Sequence, residues 1–160
     1  MKNKLLDTKL LRSVAGSFAT GITVICVEDH EGKVHGMTAN SFQSVSLDPP
    51  LVMFSVMQHN AILDYLTISK KVGISILSEE QRDISVQFSG MSEDELDVGF
   101  EKENGFEIIK GCLAWYHTTV FEIISTGDHL LILCEVKNLG KSSGDPLIYF
   151  SGYRKVGSYI

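Results

Sequence analysis

From Leu113 to Ile124 the sequence reads as one long strand, and a second follows over Leu130–Lys137. Only the five residues Ser125–His129, with Thr126-Gly127-Asp128 at their centre, separate the two, a turn too short for a crossover. Other β-branched or apolar runs stand at Ile22–Val27, Leu51–Met57, Val72–Leu77 and Leu147–Tyr153. Lys33–Thr38 returns after the turn Glu28–Gly32, which predicts a hairpin with the run before it. Three helices are expected. Asp7 caps the first, Thr8–Gly16, with Leu10, Leu11, Val14, Ala15 and Phe18 forming one apolar face. Asn60 caps the second, through Ser69, with Ile62, Leu63, Tyr65 and Leu66 on its buried side. Ser78 and Gln81 form a capping-box pattern that opens the third, ending near Phe88. Gly90–Glu103 is acidic and weakly patterned and reads as a solvated loop. Gly140–Asp145 reads as a plain turn.

This order excludes a doubly wound parallel sheet, which needs regular strand–helix alternation and a Gly-x-Gly-x-x-Gly turn. It predicts an antiparallel, mainly β barrel with peripheral helices, whose closure removes exposed edges. A length of 160 residues suits a single domain over 1–160 with one sizeable core. The net charge of −6 argues against a nucleic-acid surface. No run approaches the roughly 18 apolar residues of a membrane span, and Met1–Val14 has no continuous apolar stretch, so no signal peptide is expected. Cys26, Cys112 and Cys134 are odd in number and widely spaced, which reads as reduced thiols in a cytoplasmic protein. Neither a Cys-x-x-Cys pair nor a His/Cys cluster is present, so no metal is expected.

The stretch Gly36–Val56 stands apart. Thr38, Asn40, Ser41, Gln43, Ser44 and Ser46 precede Leu47-Asp48-Pro49-Pro50, and an apolar strand follows. Small hydroxyl and amide side chains let a flat ligand approach the backbone and pair with its polar edge. The same composition fits a Ser/Thr-rich loop capped by a Pro-Pro turn.

The order of residues narrows this. His35–Val52, HGMTANSFQSVSLDPPLV, resembles the flavin-wrapping stretch of the flavin reductase-like family, the FMN-binding split barrels. Phe18–Ile25, Phe88-Ser89-Gly90, Leu113-Ala114-Trp115, Gly127-Asp128-His129, Pro146–Phe150 and Gly152-Tyr153-Arg154 resemble further family motifs in family order. The resemblance implies a six-stranded antiparallel split β-barrel with Greek-key order. It also implies a homodimer, for which the apolar face of the first helix and Leu51–Val56 are the candidate surfaces.

For the flavin (FMN or FAD), the resemblance implies Thr38, Ala39, Asn40, Ser41, Ser44, Val45, Ser46, Ser55, Val56, Asn60, Phe88, Ser89, Gly90, Tyr153 and Arg154. His129 is implied at the nicotinamide of NADH or NADPH. Met57-Gln58-His59-Asn60 lacks the Lys, Arg or hydroxyl that related chains carry for the phosphate. Asn60 at a helix N-terminus, with His59, is the expected substitute. His30 and His117 read as surface or strand positions without a role.

The implied activity is NAD(P)H:flavin oxidoreduction, with nicotinamide C4 delivering hydride to flavin N5 and reduced flavin passing to a partner monooxygenase. Hydride transfer requires no acid–base pair, and no triad or carboxylate pair is apparent. The alternative is an electron carrier or ferric reductase that retains its FMN. A pyridoxamine phosphate oxidase fits less well, because no Arg/Lys cluster is available for a second phosphate.

Overall fold

Apolar runs flanked by short turns have one inexpensive way to bury themselves, by pairing antiparallel with neighbouring runs. The computed structural model of the chain does this throughout the residues it describes, 6–91 and 96–154. Helix α1 (Thr8–Ala15) starts at Asp7, whose carboxylate accepts from Lys9 N at 2.9 Å. Strands β1 (Thr20–Gly21), β2 (Thr23–Glu28), β3 (Val34–Ala39), β4 (Gln43–Leu47) and β5 (Pro50–Met57) follow. After a 3-10 turn (Ala61–Asp64) come β6 (Lys71–Ile76), a second 3-10 turn (Glu79–Gln81) and helix α2 (Arg82–Phe88). Then come β7 (Phe100–Glu103), β8 (Phe106–Ile109), β9 (Ala114–Thr126), β10 (His129–Lys141), β11 (Ile148–Tyr149) and β12 (Tyr153–Arg154).

The main sheet is antiparallel, in the order β3-β2-β6-β9-β10-β5-β4. It holds seven strands where the sequence reading expects six, because part of the Ser-rich segment, read as a loop, pairs with β5 as β4. The two outermost strands, β3 and β4, are consecutive in the chain and joined by residues 40–42 alone. So short a link forces the ends of the sheet to approach each other. Among the described residues no strand pairing joins β3 to β4.

The core has two parts that meet across β2. Ile25 and Val27 face one cluster, with Val52, Phe54, Val56, Ile74 and Ile132. Val24 and Cys26 face the other, with Ile22, Leu77, Ile109 and Leu147. Burial on both faces explains why this run is continuously apolar and does not alternate. β5 does alternate, with Val52, Phe54 and Val56 inward and Leu51, Met53 and Ser55 half-buried on the other side. Truncating the fully buried Phe54 to Ala would cost about 3–5 kcal/mol.

Three expectations need correction. The helix from Asn60 to Ser69 is only the 3-10 turn. Ile62 and Leu66 still reach the core, so burial is satisfied without a helix. The acidic stretch before Glu103 ends in β7, which pairs with β8 through Asn104-Gly105; both turn residues have positive φ (52° and 78°), as a tight hairpin requires. The apolar face of α1 is not buried: Leu10, Leu11, Val14 and Phe18 are each more than half exposed. The capping box at Ser78 is formed as read, with Gln81 accepting from Ser78 N at 3.1 Å. No helix among the described residues is long and apolar enough to cross a membrane.

Candidate functional site

A cleft of about 320 Å³ opens where the two ends of the sheet approach each other. Met37, Thr38 and Ala39 of β3 line it, with Asn40 and Ser41 of the link, Ser55 and Met57 of β5, Asn60, Phe88 at the end of α2, Ser89 just after it, and His129 at the start of β10. Nine expected site residues therefore meet here: Thr38, Ala39, Asn40, Ser41, Ser55, Asn60, Phe88, Ser89 and His129.

The polar atoms of this wall differ in availability. Ser41 is spent on the scaffold: its hydroxyl accepts from Ser55 N at 3.0 Å and donates to Ser55 O at 3.3 Å. Thr38 Oγ1 donates to Ser85 O at 2.7 Å and so ties β3 to α2. Ser89 Oγ donates to Val86 O at 2.7 Å. Two groups remain for a ligand edge. The outer side of β3 has no strand partner among the described residues, so its outward N–H and C=O groups are open. The Asn40 amide supplies both a donor and an acceptor. An edge strand beside an amide matches the alternating donors and acceptors on the rim of an isoalloxazine ring, and Phe88 and the exposed Met57 give apolar surface for its faces.

Phe88 sits there because position 36 is glycine. A Cβ on Gly36 would lie 2.4 Å from Phe88 Cδ1. The ring of Phe88 meets Phe100 edge-on at 6.2 Å.

His129 is placed by a turn that β5 holds. Gln58 N donates to Asp128 O at 3.1 Å, and Gln58 Nε2 donates to Gly127 O at 3.0 Å. His129 Nδ1 lies 2.7 Å from Asp128 Oδ1, and this contact holds the Asp128 carboxyl below its usual range. A protonated Nδ1 donating to Asp128 leaves Nε2 as the nitrogen free to face a ligand.

The remaining expected residues lie elsewhere. Ser44 and Val45 are exposed on β4 and Ser46 is half-buried there, none of them on the cleft wall. Val56 faces the core, because the alternation that turns Ser55 to the cleft turns its neighbour inward. Gly90 follows Ser89 with φ 74° and is not on the wall. Tyr153 lines an adjoining cavity with Thr38, Asn40 and Ser89, and its hydroxyl lies 3.0 Å from Ser85 Oγ. The backbone of Arg154 pairs with Ile148 in β12; its side chain lies outside the described residues. Asn60 does not cap an α-helix. Its Oδ1 accepts from Ile62 N at 3.0 Å in a four-residue 3-10 turn, whose dipole is too short to hold an anion, and His59 is exposed off the wall. Sequence reasoning missed Met37, Met57 and Gln58. Only the alternation of β5 carries a signal for Met57, which shares the face of Ser55.

A family model described as "Flavin reductase like domain" matches residues 15–157, which takes in every wall residue of the cleft. The chain belongs to this family. Among similar proteins, NADH-dependent flavin reductase StyB of Pseudomonas fluorescens is 35% identical over 150 residues, 91% of this chain and 88% of that relative. Stachydrine N-demethylase reductase subunit Stc3 of Rhizobium meliloti (strain 1021) is 37% identical over 146 residues, 90% of this chain and 63% of Stc3. The chain spans only 50% of another relative from that organism. Among solved structures, flavin reductase PheA2 in its native state is 42% identical with a TM-score of 0.91, over 96% of this chain and 100% of that one.

Proposed function

We propose that this chain is an NAD(P)H:flavin oxidoreductase that supplies reduced flavin, FMN or FAD, to a partner monooxygenase. The observation that carries the reading is the cleft itself: an open β-strand edge, the Asn40 amide and His129 converge on it, in a chain of the flavin reductase like family. Bound flavin supplies a hydride acceptor at N5 for the C4 hydride of a nicotinamide.

The protein's part is binding and orientation. The outer edge of β3 and Asn40 would hold the polar rim of the ring, and Phe88 and Met57 would supply apolar surface beside it. Ser41 and Ser55 fix the link that carries Asn40. Ala39, Asn60 and Ser89 complete the wall, and Tyr153 lines the adjoining cavity. His129 restricts the nicotinamide to the pose in which hydride transfer can occur. The proposal gives Ser44, Val45, Ser46, Val56 and Gly90 a supporting position around this site and no direct contact.

The finer fold reading belongs to the same proposal: a split barrel of six strands in Greek-key order, with β4 as an appended edge. The order β6-β9-β10-β5 supports it, because three sequential antiparallel strands are flanked by an earlier one. So does a homodimer across exposed apolar surface, to which α1 contributes and the inward-facing side chains of β5 do not. Sedimentation showing only an ~18 kDa monomer at micromolar concentration would exclude the dimer. A cytoplasmic location is supported by three free, buried cysteines.

Oxidation of NADH and NADPH by the purified protein, with and without added FMN or FAD, tests the activity. Turnover that depends on added flavin supports the proposal. A tightly retained flavin with no NAD(P)H oxidation would favour the electron carrier or ferric reductase.

A further inference from the structure

Phe88 brings the only phenyl ring to the cleft wall among the described residues. It is the last residue of α2, a seven-residue helix of which only Ser85 is fully buried. So short a helix does not fix its own end. Gly36 makes room for the ring, and Phe100 meets it edge-on at 6.2 Å. The seat of Phe100 therefore bears on the cleft.

Phe100 is carried by β7, whose other residues, Glu101, Lys102 and Glu103, are exposed. Among the described residues β7 pairs with β8 alone, in a two-stranded sheet. Such a hairpin is marginal by itself in water, so its ties to the rest of the protein decide where Phe100 stands. β8 is buried along its length, with Ile109 in the core cluster that holds Val24 and Cys26 of β2. Of β7 only Phe100 packs against that cluster, and the strand's other side-chain ties are ionic.

Lys102 reaches two carboxylates at once. Glu107, its cross-strand partner on β8, lies at 3.2 Å, and Glu28 at the end of β2 is the other. Lys71 donates to Asn104 O at 2.6 Å and Glu103 lies 3.8 Å from His117, but these contacts hold the turn end of the hairpin. Lys102 is two residues from Phe100 and on the same face of the strand. An exposed ion pair contributes little. Glu107 changes that weighing, because its side chain is only 5% exposed and burial raises its pKa in spite of Lys102. Without Lys102 a nearly buried carboxylate loses its cation, and displacement of the hairpin towards water relieves it.

We infer that Lys102 is a positioning residue for the flavin cleft: it clasps β7 and β8 onto β2 and so seats Phe100 against Phe88. The inference rests on the function proposed above and places part of the cleft's support outside its wall.

Purified full-length protein is compared with Lys102→Met, Lys102→Arg and Glu28→Ala. FMN affinity is read by flavin fluorescence without nicotinamide, and stability by urea denaturation without flavin. Lys102→Met is expected to weaken FMN at least about threefold, with kcat for NADH at saturating FMN within about twofold. Lys102→Arg keeps a cation beside both carboxylates and should hold FMN within about twofold. Glu28→Ala cuts the tie to β2 while Glu107 keeps its partner, and should weaken FMN at least about twofold. It carries the test if Lys102→Met does not fold. In a Phe100→Leu background either change should alter FMN affinity by less than about 1.5-fold, because the transmitting ring is gone. In protein carrying isotope-labelled phenylalanine, without flavin, the Phe88 ring signals should shift in Lys102→Met and Glu28→Ala and stay in place in Lys102→Arg. Lost stability with unchanged FMN affinity would make Lys102 a structural ion pair and overturn the inference. An undiminished loss in the Phe100→Leu background overturns it as well. If the wild type neither binds FMN nor oxidises NADH, the functional proposal fails instead, and the Phe88 signals still read whether Lys102 seats the ring.

Discussion

Ser41 and Ser55 are joined twice. The Ser55 amide donates to the Ser41 hydroxyl at 3.0 Å, and that hydroxyl donates back to the Ser55 carbonyl at 3.3 Å. A side chain in the link between the two edge strands thus borrows both backbone groups of an inner strand. The position of Asn40, the adjacent residue, depends on this pair. Ser41→Ala leaves the Ser55 N–H half-buried without its partner, at about 1–3 kcal/mol of stability. Flavin affinity is expected to fall with it. Ser44→Ala removes an exposed hydroxyl and is expected to change stability by less than about 0.5 kcal/mol. Urea denaturation and flavin titration of the two variants check the contrast; equal behaviour would remove Ser41 from its supporting role.

Gly36 and Phe88 form the second testable pair. The Cβ of Gly36→Ala would fall 2.4 Å and 2.5 Å from two ring carbons of Phe88, so the ring must move off the cleft wall. Overpacking of this kind costs about 1–3 kcal/mol. The expected result is lower stability together with weaker flavin binding. In a Phe88→Ala background the same Gly36→Ala change should cost less than about 0.5 kcal/mol, because the clashing atoms are gone. A full-size cost in that background would place the strain elsewhere.

His117 supplies a pH test. Read from sequence as a position without a role, it is buried on β9 between Phe106 at 4.7 Å and Trp115 at 4.4 Å, and its Nε2 has no partner among the described residues. Burial lowers its pKa below 6.5, and Glu103 partly opposes this. The unfolded chain therefore takes up the proton first as pH falls. The stability conferred by a neutral His117 is complete above about pH 6.5 and declines as pH drops through that value towards the folded pKa. Glu107, raised by burial, acts in the opposite sense as pH rises above 4.5. Comparison with His117→Leu isolates the histidine: the fall in wild-type stability between pH 7 and 5 should be flatter in the variant. Parallel curves from denaturation at pH 7, 6 and 5 would contradict it.

What could be read in the sequence was what short range determines. The β9–β10 pair was legible because two β-branched runs flank Gly127-Asp128, and α2 because Ser78 and Gln81 satisfy each other's backbone groups. The β7–β8 hairpin was missed because Glu101, Lys102 and Glu103 face solvent and hide the strand period. Asn104-Gly105 was the available signal. Lys102 is held by Glu28 and Glu107, partners distant in the chain that no local pattern reveals. Helical spacing in α1 reported an apolar face correctly, but periodicity does not say what covers it. The motif around Thr38–Ser46 located the cleft, while the meeting of Gly36, Phe88 and Phe100 depends on non-local folding.

The last prediction concerns His129, which shares a cleft with Asn40 and Ser41 although it is distant from them in the sequence. Its ring is held by Asp128 at 2.7 Å, and the Asp128 backbone is held in turn by Gln58 at 3.1 Å, so the imidazole stands at the rim in a fixed direction. In the proposed function β3 and Asn40 take the flavin edge, which would leave His129 for the nicotinamide. Productive hydride transfer needs donor and acceptor about 3–3.5 Å apart, and a displacement near 1 Å can cost about 100-fold. His129→Ala is therefore expected to raise the KM for NAD(P)H, lower kcat, or both. Flavin affinity should change by less than about threefold, or roughly 0.7 kcal/mol. Gln58→Ala loosens the same turn without touching the cleft wall and should show a weaker version of the same kinetic change. Steady-state kinetics at saturating flavin, with flavin titration alongside, separate the outcomes. Loss of flavin with normal NADH oxidation once flavin is saturating would move His129 to the flavin, and no change in either would reduce it to a turn residue.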